Sequence, residues 1–241
     1  MLKYASTTHE GSRTYNEDNL SISSASKYQC FVVCDGLGGH RFGDVASKTV
    51  ADTFAEELSC CNDLDSYLLN SFVKAQNRVE TKQKEMGAKR EMKTTAVCMV
   101  ANETSAVVGH VGDSRFYGFL KDGSYIRSLD HSIPQLLVQS NTITEEEIRN
   151  HPHRNMLLKV IGDKWDEPLC EISETFHIND FSAFLLCTDG FWEFINELEM
   201  IKTLAESNSP QEWLDKMVDI VNENGKTKDM DNFTAITIIN Q

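Results

Sequence analysis

The chain has 241 residues, 40% of them hydrophobic and 25% charged, with only four prolines, which favours one folded domain with a sizeable core over a disordered chain. Its formal net charge of −14 argues against a nucleic-acid or anionic-membrane footprint, while excess acid can serve to hold cations. No apolar run approaches the roughly 20 residues that span a bilayer, the N-terminal MLKYASTTHEGSR has no signal-peptide apolar core, and seven cysteines without a CxxC pair read as reduced thiols, so the expected compartment is the cytoplasm.

Taken in chain order, apolar runs rich in β-branched and aromatic residues predict strands at 3–9, 18–23 and 28–34. Two helical patterns follow. Ala46, Val50, Phe54 and Leu58 share one face, as do Leu68, Leu69, Phe72, Val73, Gln76 and Val79. KQKEMGAKREMK reads as a solvated helix end and loop. Strands resume at 94–100, 105–112, 114–120 and 124–129, the last two joined by the Asp122-Gly123 turn. Segment 131–165 then interrupts the pattern with a short helical run, a capping box from Thr144 to Glu147 and a polar turn. It is long for a connection, and a flap or lid insertion is expected there. Strands at 172–178 and 183–188 precede a weak helix at 197–206 and a strong one in SPQEWLDKMVDIVNENG. In the latter Ser209 is the N-cap, Pro210 the first helical residue, Glu212 the partner in a capping box and Gly225 the C-cap. A strand at 233–239 closes the chain. Runs of strands separated by runs of helices predict an α+β fold: a four-layer α-β-β-α sandwich of two mostly antiparallel sheets flanked by helix pairs, forming a single domain over 1–241.

Acids recur at strand ends. FVVCDGLGGHRFGDVAS carries Asp35, FLLCTDG carries Asp189, VVGHVGDSR carries Asp113, MDNFTAITII carries Asp231 and RTYNEDNLSIS carries Glu17 and Asp18. A single Asp-Gly is usually a turn. Asp35 and Asp189, however, follow apolar runs too continuous for half-exposed hairpins, so their carboxylates should sit at the rim of a core. Like charges gathered there repel unless a divalent cation compensates, and an all-oxygen set favours Mg²⁺ or Mn²⁺ over zinc. At Gly36, Gly38 and Gly39 the missing side chain lets the backbone approach a ligand, so the Gly36 carbonyl can itself reach a metal.

The ordered set RTYNED, VVCDGLGGHRFGDVAS, TTAV, GHVGDSR, DHS, LLCTDGFWEFI and DNFTAITI, spread over nearly the whole chain, resembles the metal-dependent Ser/Thr protein phosphatases of type 2C, especially their compact bacterial form. The resemblance implies a binuclear Mn²⁺ or Mg²⁺ centre in a cleft between two β-sheets. Asp35 matches the bridging carboxylate, Gly36 the carbonyl ligand, Glu17 the acid on the second ion, and Asp189 and Asp231 the acids on the first. Asp18 matches a neighbour that holds water, and Asp113 with Asp189 matches a third, looser site. Arg13 matches the phosphate-binding arginine, whose planar fork suits two phosphate oxygens. The implied reaction is hydrolysis of phosphoserine or phosphothreonine by water activated at the binuclear centre. The implied partners are phosphorylated proteins, including a cognate bacterial Ser/Thr kinase or its targets.

Other readings compete at single residues. Leu37 stands where eukaryotic relatives carry a histidine proposed as general acid, which leaves the acid unassigned, and His40 reads as structural. Ser114 lacks the Gly-x-Ser-x-Gly setting of a nucleophile. His151 and His153 read as turn residues. Phe191, Trp192 and Phe194 read as packing under the site. A phosphoprotein-binding pseudophosphatase is the alternative of a different class, which retention of the acids disfavours. A haloacid-dehalogenase-like enzyme would need its aspartate nucleophile in DLD at 63–65, which no apolar strand precedes.

Overall fold

A computed structural model describes residues 1–37, 42–88 and 91–240. In chain order the elements are β1 (Lys3–His9), β2 (Asn19–Ala25), β3 (Tyr28–Cys34), the two-residue β4 (Gly36–Leu37), α1 (Gly43–Glu57), α2 (Leu64–Met86), β5 (Lys93–Thr94), β6 (Ala96–Ala101), β7 (Ser105–Val111), β8 (Arg115–Leu120), β9 (Tyr125–Arg127), α3 (Ile133–Gln139), β10 (Glu171–Ile172), β11 (Phe176–His177), β12 (Phe181–Cys187), α4 (Asp189–Trp192), α5 (Glu197–Ala205), α6 (Pro210–Gly225) and β13 (Phe233–Ile239).

Two sheets carry the fold. One runs β1-β13-β12-β8-β9, the other β10-β7-β6-β3-β2 with β11 also on β7, and their strand pairs are antiparallel. Side chains alternate between faces along a strand, and here each face of a central strand enters a different core. Cys30, Val32 and Cys34 of β3 join α1 and α2, whereas Phe31 and Val33 meet Phe184, Leu186, Ile236 and Ile238 of the facing sheet. Ala183, Leu185 and Cys187 of β12 pack beneath Trp213, Leu214 and Met217 of α6. Burial on both faces explains why these strands read as continuous apolar runs. The layers are therefore helices, sheet, sheet, helices, as expected.

Some local expectations need correction. The strand expected over 172–178 is two short pieces, because the Ser173 hydroxyl accepts the Val108 N–H at 3.1 Å and interrupts the ladder between them. Ser209 caps α6 through the Glu212 N–H, but Glu212 reaches back to the amide of Asn208, one residue outside the cap. Gly225 is the last helical residue rather than a C-cap. A Cβ there would lie 1.9 Å from Met230 Sδ, so its smallness seats the loop before β13. Within 131–165, α3 is capped by Ser132, and the Thr144 box ends in a single 3₁₀ turn, Ile148–Asn150. The segment is tied at both ends, by Leu158 N–H to the His131 carbonyl (2.8 Å) and by Ile161 pairing with Thr94.

Candidate functional site

Antiparallel pairing turns strand ends and strand starts into one rim. Asp35 follows β3, Asp189 follows β12, Asp113 lies between β7 and β8, Asp231 precedes β13, and Glu17 and Asp18 precede β2. A cavity of about 960 Å³ opens there, lined by Arg13, Glu17, Asp35, Gly36, Asp113, Asp189 and Asp231 among others. The structure thus brings Arg13, Glu17, Asp35, Gly36, Asp113, Asp189 and Asp231 to one place, with Asp18 buried just beneath the lining. Gly38, Gly39 and His40 lie outside the described residues. Arg13 is the one cation among the described lining residues.

Asp35 is held by its backbone. The Asp35 carbonyl accepts from Thr95 N–H (2.9 Å) and Thr94 Oγ1 (2.7 Å), and its amide donates to Thr95 Oγ1. Gly36 is required by close approach: a Cβ would meet the Glu17 carbonyl and the Gly43 carbonyl, each at 2.4 Å. Gly43, at the start of α1, would place a Cβ 2.9 Å from Glu17 Oε1, so the acid, the Gly36 carbonyl and the helix start pack without side-chain filler.

The electrostatics are those of crowded, partly desolvated acids. Burial, followed by the charges of Asp189 and then Asp18, holds Asp35 well above the usual carboxylate range. Asp113 rises likewise from burial and then Asp189. Asp189 rises from burial and then from the charge of Asp231. Asp18 is pushed up to about 8, chiefly by burial, although Thr188 Oγ1 donates to its Oδ2 at 2.9 Å. Oδ1 of Asp18 and Oδ1 of Asp189 are buried with no donor. Unpaired, mutually repelling carboxylate oxygens beside a backbone carbonyl fit a hard divalent cation, which takes oxygen ligands.

Arg13 stands at the mouth. Its Nε and Nη2 donate to the two oxygens of Asp231 at 3.1 Å each, and Nη1 to Asp229 Oδ2 at 3.3 Å. The planar fork expected to grip phosphate is therefore presented to a carboxylate of the acid cluster itself, a group of matching shape.

Sequence reasoning missed the supports. Asn232 Oδ1 accepts the Glu17 amide (2.8 Å) while its Nδ2 donates to the carbonyls of Glu10 (2.8 Å) and Tyr15 (2.9 Å), closing the loop that carries Arg13 and Glu17. Thr188 Oγ1 accepts from Thr234 N–H, joining β12 to β13 under Asp18. The available signal was one of type: an asparagine and a threonine touching the acids at the ends of apolar runs. Asn232→Ala is expected to lose most of the activity and about 2–4 kcal/mol of stability, since it leaves buried backbone groups unpaired. Urea unfolding beside an activity assay measures both.

The remaining candidates settle as structural. Ser114 is buried, with its hydroxyl 2.7 Å from Thr95 Oγ1. Asp63 of DLD is the N-cap of α2, accepting from Ser66 N–H at 2.9 Å. His151 Nδ1 accepts the His153 amide, which makes the pair a turn. Phe191 and Trp192 are buried, and Trp192 Nε1 donates to the Asp113 carbonyl at 2.9 Å, with the Arg115 guanidinium 3.5 Å over its ring. Of the seven cysteines Cys60 is exposed, and all are free thiols. Among the described residues no helix is long and apolar enough to cross a membrane.

A family model described as protein phosphatase 2C matches residues 5–234. The chain is 29% identical over 235 residues to a serine/threonine phosphatase stp of Listeria monocytogenes, covering 94% of this chain and 90% of that one. The crystal structure of serine/threonine phosphatase Stp1 from Staphylococcus aureus superposes with a TM-score of 0.90 at 28% identity, covering 100% of this chain and 96% of that one. The catalytic domain of serine threonine protein phosphatase PstP, solved in complex with two manganese ions, shares the fold at a TM-score of 0.80 and 23% identity, covering 99% and 97%.

Proposed function

Because the chain belongs to the protein phosphatase 2C family, we propose that it removes phosphate from phosphoserine or phosphothreonine in other proteins, using two Mn²⁺ or Mg²⁺ ions held by the acids at the sheet rim. The observation that carries this reading is the convergence of Glu17, Asp35, Asp113, Asp189 and Asp231 on one cavity, with buried carboxylate oxygens that no donor satisfies. Glu17, Asp35, the Gly36 carbonyl, Asp189 and Asp231 would hold the pair, and Asp113 with Asp189 a looser third ion. When bound, the ions supply Lewis-acid activation of water and neutralise the phosphoryl oxygens. The chain's own groups do the rest. Arg13 exchanges its carboxylate partner for the substrate phosphate and aligns it. Asp18, through Oδ1, orients the attacking water.

The names of the relatives support the reaction class, and PstP with two manganese ions supports the cation pair by analogy of fold. Residues 1–241 serve as one catalytic domain, with 131–165 as a lid contributing Asn155 and Leu157 to the cavity wall. The substrates are phosphoproteins of a cognate Ser/Thr kinase, in a cytoplasmic setting. A pseudophosphatase is the weaker reading, since none of the acids is lost.

The test is manganese-dependent hydrolysis of p-nitrophenyl phosphate with no trapped aspartyl-phosphate. Arg13→Ala should raise KM about 10–100-fold, the loss of charge-assisted bonds to phosphate, with a smaller change in kcat. Activity without added divalent ion, or a KM that Arg13→Ala leaves unmoved, counts against the assignment.

A further inference from the structure

We propose that His110, His131 and Glu171 form a separate transition-metal site, suited to one Zn²⁺ or Co²⁺ ion, at the edge of the β10-β7-β6-β3-β2 sheet. None of the three lines the acid cavity, and no step proposed above uses them. The site goes beyond the proposed activity and does not rest on it.

Strand register makes the juxtaposition. β10 pairs with β7 so that Glu171 stands directly opposite His110, and opposed residues of an antiparallel pair share a face. His131, just after β9, stacks on His110 with ring centroids 4.6 Å apart and planes 13° apart. One ligand atom from each of the three residues falls within 4.8 Å of the others, and His131 Nε2 is 3.4 Å from Glu171 Oε2. Both rings are buried and Glu171 is exposed, which gives an ion a route in from solvent. Two imidazoles and one carboxylate, with a position left for water, are a zinc-type set that Mg²⁺ does not favour.

One ring already holds the tautomer a metal needs, and the other must exchange it. His110 Nε2 hydrogen-bonds the Leu129 carbonyl at 2.7 Å, the outer partner that fixes the tautomer of a metal-ligating histidine and leaves Nδ1 its lone pair. Burial keeps both rings uncharged at neutral pH, and it is the main reason His131 is pushed down to about 4. His131 Nδ1 accepts the Gly112 N–H at 3.2 Å, so the proton of this ring sits on Nε2, facing Glu171. Loading exchanges that Nε2 proton for the metal and places a proton on Nδ1, and the bond from Gly112 is given up. Gly112 adjoins Asp113, so occupancy of the outer site would be felt at an acid of the cavity. Lys159 opposes loading, since its charge disfavours a second cation beside both rings.

The experiment is a Co²⁺ titration of the full chain in saturating Mg²⁺, which occupies oxygen sites without competing for imidazole, read by the d–d absorption of tetrahedral Co²⁺. One equivalent with nitrogen-ligated absorption is expected. Glu171→Gln, at an exposed position, should weaken it by at least the roughly 10–100-fold that loss of an outer-shell partner costs, and Lys159→Gln should tighten it. Phosphatase activity of Glu171→Gln in Mg²⁺ alone should match the parent. Absence of the band, a band that Glu171→Gln and His131→Asn leave unchanged, or one that disappears in His151→Gln/His153→Gln would each overturn the proposal.

Discussion

Asp35→Asn is expected to abolish turnover and, at the same time, to raise the melting temperature of the metal-free chain. Asp35 stands at the end of a strand buried on both faces, with its backbone pinned by Thr94 and Thr95, so the substitution changes charge without moving the chain. Its carboxyl is held well above the usual range by burial and by Asp189, Asp18 and Asp113 in turn. In the metal-free fold the carboxyl must keep a proton that the unfolded chain has lost, and asparagine removes that cost. A gain of only 1 kcal/mol would lift the melting temperature of a chain this size by about 2–4 °C. The same charge is what two cations would share, so turnover should fall by about 10³-fold or more, the scale of losing a preorganised electrostatic contact. Activity assays with Mn²⁺ and thermal melts in chelator separate the effects. An active variant sinks the site assignment, and an inactive variant that melts lower in chelator sinks the protonation argument.

The acids were legible because of where they fall, not because acids are rare. FVVCD and LLCTD are apolar runs buried on both faces, and such a run can end in an aspartate only at a rim. The four layers were legible for a related reason: helix periodicity and strand runs occur in separate blocks. What failed to show was anything set by partners distant in sequence. Ser173 breaks a strand by bonding Val108, 65 positions away. Asn232 closes the Glu17 loop across 215 positions. Gly225 looks like a helix stop but is small because Met230 returns over it. The stacked histidines needed the β7–β10 register, which no local pattern announces.

Stability of the metal-free protein should fall as pH rises from about 4 to about 8, and divalent cation should reverse the slope. A carboxyl whose pKa is raised on folding keeps a proton that the unfolded chain has already lost. Its contribution is therefore complete below the unfolded value and disappears as pH climbs through the folded one. Asp18 sets the window, moving from 3.8 to about 8, chiefly by burial. Glu193 moves from 4.5 to about 7 within it, chiefly by burial and then by the charge of Asp189, although it is paired with Arg154. Asp35, Asp113 and Asp189 shift in the same direction. Melting in chelator should thus be several degrees higher at about pH 6 than at about pH 8. A cation requires the deprotonated acids and displaces their protons, so its stabilisation grows over the same interval. In saturating Mn²⁺ the more alkaline sample should melt higher. Parallel slopes with and without Mn²⁺ would mean that the acids releasing protons are not the acids that bind the ion, which would separate the electrostatic cluster from the proposed catalytic centre.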